Sequence, residues 1–249
     1  MRTKQLKDRA AKIQRLQFIK SLIERNPKPA LNGLDDKLEK YLNYTDGFFV
    51  ELGANDGYTQ SNTFYLEYCK NWRGLLIEGI PELYTRCEYT RIHSHVMNYA
   101  CVDGECCNKN VTMNYANLMS IVTGAMKSTE ADKEHLDRGL QCQNIFNSYQ
   151  IEVPAKTLTA ILEEVGVEKI DFLSLDVEGY EANVLRGLAF DRYAPEYICV
   201  EARFFDDVNK ILCSRYSLVE QLTHHDYLYH IDMDKVDSCN LNAQVMRYE

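Results

Sequence analysis

A turn with two glycines, at residues 53–57, is the feature that most constrains the fold of this 249-residue chain. Residues 48–52 are mostly apolar, which is typical of a buried parallel strand, and residues 61–70 have a helical pattern. Gly53 lets the backbone turn sharply, and Gly57 lets a ligand or the helix come close. The sequence therefore predicts a strand, a tight turn and a helix whose first N–H groups face a polar or anionic ligand. A purely structural turn is the alternative. The predicted ligand contacts in the turn are Gly53, Ala54, Asn55 and Gly57.

A carboxylate follows the next apolar segment, at a defined sequence spacing from the glycine turn. Residues 73–77 end at Glu78, which lies 21 residues after Gly57, and at that spacing a Rossmann-type unit places a carboxylate on ribose hydroxyls. The pattern G-x-G-x-x-G is absent, which argues against NAD, although a nucleotide-dependent oxidoreductase stays an alternative. Glu51, before the turn, is placed to accept hydrogen bonds from an ammonium group. S-adenosylmethionine (SAM) carries an ammonium group and a ribose, so Glu51 and Glu78 together favour SAM as the cofactor.

The segments after the predicted strands supply the other predicted cofactor contacts, because ligands of open α/β sheets bind at the carboxyl ends of the strands. The third strand is predicted over residues 95–102, and the turn after such a strand usually meets the base. These contacts are Gln60 and Ser61 at the start of the helix, Gly79 and Ile80 after the second strand, and Cys101 and Val102 at the end of the third strand.

Carboxylates also follow two later strands. The apolar segment 170–175 runs into Asp176 and Glu178, and the segment 197–200 ends at Glu201. Asp176 and Glu178 point the same way if the strand continues. Asp176 is predicted to contact the cofactor, and either residue is a candidate general base for an acceptor hydroxyl. Alternatively, Asp176 and Glu201 are candidate ligands of Mg²⁺ or Mn²⁺, which would lower the pKa of the hydroxyl.

A basic helix is predicted at the start of the chain. Residues 1–26 hold eight basic and two acidic residues, with apolar residues at steps of three and four. The helix belongs to a predicted helical extension, residues 1–46, that precedes a main domain, residues 47–249. We expect it to pack on its own domain, or on another subunit in a homodimer or in a larger multidomain protein. Contact with a membrane surface or an anionic glycan is the alternative.

An irregular segment interrupts the main domain. Residues 104–150 are polar and rich in Asn, and so long a segment inside a compact domain is commonly functional or mobile. We expect a lid or acceptor-binding insertion with an added strand at residues 111–115. A disordered surface loop is the alternative for residues 129–144.

The sequence pattern near the end of the chain predicts an antiparallel hairpin that completes the sheet. Its pattern indicates a helix near residues 218–223 and strands near residues 228–233 and 243–248. The last two strands are joined by a short connection, so we expect them to be antiparallel.

Composition limits the class of protein. The net charge of −9 argues against nucleic acid as a partner. No apolar run approaches the roughly 18 residues that a transmembrane segment needs, and no signal peptide is visible. The nine cysteines form no C-x-x-C pattern. They indicate a reducing compartment, and we expect a cytoplasmic location.

Several motifs of the chain occur together in one known family. They are Glu-Leu-Gly-Ala-Asn-Asp-Gly at 51–57, Leu-Leu-Ile-Glu at 75–78, Asp-Val-Glu-Gly-Tyr-Glu at 176–181 and Val-Leu-Arg-Gly at 184–187. Over about residues 47–205 the chain resembles the FkbM-type SAM-dependent methyltransferases. The resemblance implies a Rossmann-like class I methyltransferase fold of the α/β class. Such a fold has helices on both faces of a seven-stranded, mostly parallel sheet whose last strand is antiparallel.

The same resemblance implies an activity and an acceptor. Members of this family transfer a methyl group to oxygen, often to a sugar hydroxyl of a glycan or natural product. A carbohydrate or glycoconjugate is therefore the predicted acceptor. The alternative is a non-catalytic SAM-fold module of a larger glycan-building protein.

Overall fold

Helices and strands alternate along most of the chain in the computed structural model, which describes residues 2–238. The helices are α1 (Arg2–Arg25), α2 (Leu34–Leu38), α3 (Phe64–Cys69), α4 (Pro81–Thr90), α5 (Thr129–Gln143), α6 (Leu158–Val165), α7 (Glu181–Arg186) and α8 (Phe205–Leu212). The strands are β1 (Phe48–Leu52), β2 (Arg73–Ile77), β3 (His95–Met97), β4 (Ala100–Cys101), β5 (Asn110–Tyr115), β6 (Ile121–Val122), β7 (Tyr149–Lys156), β8 (Phe172–Leu175), β9 (Tyr197–Glu201), β10 (Tyr216–Gln221) and β11 (Asp226–Ile231).

Seven strands form the central sheet, in the order β10-β11-β9-β8-β1-β2-β3. The pairs from β9 to β3 are parallel. β11 is antiparallel to both of its neighbours, β9 and β10. The predicted α/β, Rossmann-like class with a mostly parallel sheet and an antiparallel last strand is therefore confirmed.

Both faces of the central sheet are covered by helices, because alternate strand residues point to opposite sides. Val50 and Leu173 face a core that includes α6, α7 and α8. Phe49 and Phe172, one position away, face a core that includes α2, α3 and α4. Parallel strands buried on both faces read as continuous apolar runs, which is why β1, β2 and β8 were recognisable in the sequence.

The end of the chain differs from the sequence prediction. The helix predicted near residues 218–223 is wrong, since Tyr216–Gln221 form strand β10. A register shift between Leu218 and Glu220 in the pairing with β11 interrupts the two-residue alternation that would have identified a strand. The strand predicted near residues 228–233 corresponds to β11, and the one near residues 243–248 lies outside the described residues.

A second sheet lies beside the first, in the order β4-β7-β5-β6. The single strand predicted over residues 95–102 is split, because β3 pairs with β2 while β4 pairs with β7. The added strand predicted at residues 111–115 is confirmed as β5. The alternative of a disordered loop at residues 129–144 is wrong, since these residues form α5.

The C-terminal half of α1 packs against the central domain. Phe18 lies against Tyr89 of α4 with ring centroids 5.6 Å apart, and Leu22 joins a cluster with Tyr58 and Phe64. Towards the N-terminus of α1, Ile13 is exposed. Among the described residues, no helix combines the length and the apolarity needed to cross a membrane.

Gly53 allows the ends of β1 and β8 to lie close together, so substituting it tests this packing. Its φ is +77°, and a Cβ there would lie 1.8 Å from the carbonyl oxygen of Asp176. We expect Gly53→Ala to lower the free energy of unfolding by about 3 kcal/mol or more, since both backbone strain and a backbone clash result. Gly104→Ala is the control, because no atom lies within 4 Å of its Cβ position. Chemical denaturation measures both, and equal stability of the two variants would contradict the expectation.

Candidate functional site

A cavity of about 430 Å³ lies at the carboxyl ends of the central strands, a size within the roughly 300–1,000 Å³ of small-molecule sites. The ends of β1, β2, β8 and β9 form one side of it, and the segment between β5 and β6 closes the other. The residues from that segment and the end of α5 are Asn117, Leu118, Met119, Ser120, Cys142 and Gln143.

Most of the predicted site residues meet in this cavity, and three do not. The predicted cofactor contacts that line it are Glu51, Gly53, Ala54, Asn55, Gln60, Ser61, Glu78, Gly79, Cys101 and Asp176. The candidate catalytic or metal-binding residues Glu178 and Glu201 line it as well.

Gly57, Ile80 and Val102 are outside this lining. A Cβ on Gly57 would meet the Cγ of Arg91 at 2.8 Å, so this glycine makes room for a buried arginine. Ile80 and Val102 are both fully buried in one apolar cluster that also contains Met113. Met113 itself lines the cavity, so Ile80 and Val102 lie behind a lining residue.

Glu51 is buried and holds the segment after the glycine turn. Its Oε2 accepts hydrogen bonds from the hydroxyls of Ser61 at 3.0 Å and Thr63 at 2.6 Å, and its Oε1 accepts one from the N–H of Asn62 at 3.0 Å. The Nη1 of Arg91 lies 3.5 Å from Oε2. Burial raises the pKa of Glu51 although Arg91 opposes the shift. This carboxylate therefore fixes the turn while one side of it faces the cavity.

The backbone N–H groups of the turn are already engaged. From residue 53 to residue 64, every N–H other than that of Gln60 donates to an acceptor within the chain, and Gln60 forms a bridge with Ala30. The acceptors include the carboxylates of Glu51, Asp56 and Glu78. The prediction of free N–H groups at the helix start is therefore wrong.

Glu78 lies at the end of β2, and its carboxylate is also tied to the backbone. It accepts hydrogen bonds from the N–H groups of Asn55 at 2.8 Å and Ile80 at 2.7 Å. Burial raises its pKa to about 7, although these N–H groups favour the ionised form. The carboxylate keeps further lone pairs for a ligand hydroxyl, since each oxygen accepts more than one hydrogen bond.

Three carboxyl groups cluster at the ends of β8 and β9. Burial, and then the charges of Glu201 and Glu178, raise the pKa of Asp176 well above its usual value. Burial and the neighbouring Glu201 raise the pKa of Glu178 to about 7, against the effect of Arg203. Like charges in a confined space disfavour simultaneous ionisation, so each of these groups loses its proton at a higher pH than an exposed carboxyl group does.

Glu178 connects this cluster to α5. Its backbone has a left-handed φ of +53°. Its Oε2 accepts a hydrogen bond from the Nη2 of Arg203 at 2.9 Å and lies 3.6 Å from the Nε2 of His135 on α5. The same Nε2 lies 3.2 Å from the carbonyl oxygen of Met119, which lines the cavity. Glu178 therefore joins the turn after β8 to the segment that covers the cavity.

Three buried polar atoms lack a partner in the described part of the chain, namely the Oδ1 atoms of Asn62 and Asp176 and the Nε of Arg203. All three residues line the cavity. An unsatisfied buried polar group costs about 1–3 kcal/mol, so their grouping indicates a site for a polar ligand. The predictions from sequence missed Arg203 and Asn62. The available signals were the position of Arg203 two residues after Glu201 and that of Asn62 in the polar run after the turn.

A metal ion does not fit this donor set. Among the side chains that the structure describes, no three of His, Cys, Asp or Glu are grouped so that they could hold a metal. Mg²⁺ and Mn²⁺ prefer several oxygen ligands in a defined geometry. The prediction that Asp176 and Glu201 bind such an ion is therefore not supported.

Arg91 offers a test of the scaffold below the cavity. It is 1% exposed, and its Nε donates to the Oε2 of Glu67 at 2.9 Å. We expect Arg91→Met to lower the free energy of unfolding by about 3–5 kcal/mol, because the substitution leaves buried carboxylates without their counter-charge. Arg86→Met, at an exposed position of α4, is the control. Urea denaturation of both variants gives the comparison, and a small loss at Arg91 would show that the carboxylates do not depend on it.

Comparisons with known proteins give one family. The model of the methyltransferase FkbM domain matches residues 51–230. Among curated proteins, none matches the chain. A fibrillarin pre-rRNA processing protein of Methanococcus jannaschii aligns over 76% of this chain and 67% of its own, with 13% identity and a TM-score of 0.41. A TehB-like SAM-dependent methyltransferase of Corynebacterium glutamicum aligns over 90% and 100%, with 8% identity and a TM-score of 0.40. The fold assignment therefore depends on the sheet order described above.

Proposed function

The chain belongs to the FkbM methyltransferase family, and from this premise we propose that it transfers a methyl group from SAM to a hydroxyl of a sugar in a glycan or glycoconjugate. The observation that carries the proposal is the cavity lined by five carboxylates, one of which has a buried oxygen without a partner. Such a lining suits a cationic cofactor beside a hydroxyl that must lose its proton. The five are Glu51, Glu78, Asp176, Glu178 and Glu201.

We propose one orientation for the cofactor in this lining. Glu78, at the end of β2, would accept hydrogen bonds from the ribose hydroxyls. The Oδ1 of Asn62, which lacks a partner, and the carboxylate of Glu51 would accept from the ammonium group. Tyr99 and Met113, with Cys101, provide the less polar surface on which the adenine would lie. When bound, SAM supplies a methyl group activated by a sulfonium charge.

Asp176 is the general base that the geometry favours. Its Oδ1 is buried without a partner, whereas the Oε2 of Glu178 is occupied by Arg203. Of the two candidates, Glu178 is the one paired with a cation, and Arg203 lowers its pKa and so weakens it as a base. Its raised pKa makes it a stronger base than an exposed aspartate. The remaining contribution is alignment of the oxygen with the methyl group.

A neutral acceptor with several hydroxyls suits the rim of the cavity. Carboxylates accept hydrogen bonds from hydroxyls, and the five acids would repel an anionic acceptor. We propose that residues 104–150 act as the lid of the acceptor site. The segment at residues 117–120 supports this role, because it lines the same cavity as the strand ends.

Removing the base tests the proposal. We expect Asp176→Asn to lower turnover by about 10²–10⁴-fold, the usual contribution of a general base, while SAM still binds. Transfer of labelled methyl groups from SAM to a panel of sugars and glycan fragments measures turnover, and calorimetry measures binding. Asp206→Asn is the control, because Asp206 is exposed and outside the cavity lining.

The outcomes of these assays separate the alternatives. Normal turnover of Asp176→Asn would rule out this base. Binding of SAM without transfer to any of the sugars would favour a non-catalytic module. Binding of NADH instead of SAM would favour an oxidoreductase.

The pH dependence gives a second test. The base must be ionised, so we expect kcat/KM to fall as the pH drops through the pKa of Asp176. That pKa is raised first by burial and then by Glu201. Glu201→Gln removes the second effect, so the acid limb of its pH–rate profile should move to lower pH. An unchanged limb would show that Asp176 does not set it.

A further inference from the structure

The cavity contains a single cationic side chain among the described residues. Arg203 is the only Lys or Arg in the lining, which also contains five carboxylates. It follows Glu201, the last residue of β9, by two positions. Arg203 therefore supplies a positive charge at the carboxyl edge of the sheet, in a site whose other charged residues are acidic.

Only part of the Arg203 guanidinium is used within the protein. Its Nη2 donates to the Oε2 of Glu178 at 2.9 Å, and 28% of its side chain is exposed. Its Nε is buried and has no partner. Arg203 lines the cavity, and neutralising Glu178 does not explain why a second donor of its guanidinium is left unsatisfied. The hydrogen-bonding capacity of the Nε is therefore not used by any described residue.

The amino-acid end of SAM carries a carboxylate as well as an ammonium group. A carboxylate in a cavity lined by five acids is strongly disfavoured unless a donor or a cation meets it. The backbone N–H groups of a glycine turn are the usual donors for such a group. Here those of residues 53–64 are engaged within the chain, apart from that of Gln60. The turn therefore has almost no free N–H donor for an anionic group.

We propose that Arg203 binds the carboxylate of the cofactor's amino-acid end through its Nε, while its Nη2 stays on Glu178. The inference rests on the proposed use of SAM and adds a residue that holds it. It also assigns a second task to Glu178, which orients Arg203 rather than acting as the base. An acidic group on the acceptor is the other source of a carboxylate at this position, and the ligands below distinguish the two.

The test compares two ligands that differ only in the carboxylate. Calorimetry measures the affinities of SAM and of decarboxylated SAM, without acceptor, for the full chain and for Arg203→Gln and Arg203→Lys. Arg215→Gln is the matched control, because Arg215 is similarly exposed and paired with a carboxylate, Asp191, away from the cavity. Circular dichroism checks that each variant is folded.

We expect Arg203→Gln to reduce the preference for SAM over decarboxylated SAM by about tenfold or more, the effect of losing one hydrogen bond to a charged group. Arg203→Lys keeps the charge and should lie between Arg203→Gln and the unsubstituted chain. Arg215→Gln should leave the ratio unchanged. If both Arg203 variants keep the original ratio, Arg203 does not bind this carboxylate and the inference is wrong. If the unsubstituted chain binds neither ligand, the proposed function itself fails.

Discussion

The site depends on one buried charge, that of Arg91. Its guanidinium donates to Glu67, to the carbonyl oxygen of Gly57 and to the hydroxyls of Ser61 and Thr63, and it lies 3.5 Å from Glu51. These contacts join the end of α4, the start of α3 and the glycine turn. A buried cation with fewer partners would be costly, so the network exists only when all of these segments are in place. The floor of the cavity is thereby formed before a ligand arrives.

At the ends of β8 and β9, electrostatic repulsion between carboxyl groups determines the properties of the cavity lining. Asp176, Glu178 and Glu201 compete for ionisation at the ends of two neighbouring strands. Their raised pKa values weaken the fold at neutral pH, because the unfolded chain would release these protons more readily. A cationic ligand relieves this repulsion. Ligand binding and stability are therefore linked at this edge of the sheet.

Most strands of the central sheet could be predicted from the sequence, because they are short apolar runs that are followed by an acidic residue or by glycine. The strand β10 could not, since a bulge breaks its alternation. Within the cavity, the strand ends Glu51, Glu78 and Asp176 could be identified from sequence. Arg203 was missed although it follows Glu201 by two residues, because its pairing with Glu178 across 25 residues is a tertiary contact. Likewise, the N–H groups of residues 53–55 and 62 bond to Ile77, Glu78 and Glu51, which are tertiary acceptors, whereas those of the other residues bond to local acceptors such as Asp56 and Ser61.

The position of β11 has a consequence for the order of assembly. β11 is the last strand of the described chain, yet it lies between β9 and β10 in the sheet. β9 therefore presents an unpaired edge until residues 226–231 have left the ribosome. Such an edge is a template for pairing with other chains. A chain that stopped before this strand would hold every residue that lines the cavity and would still be prone to aggregate through the open edge of β9.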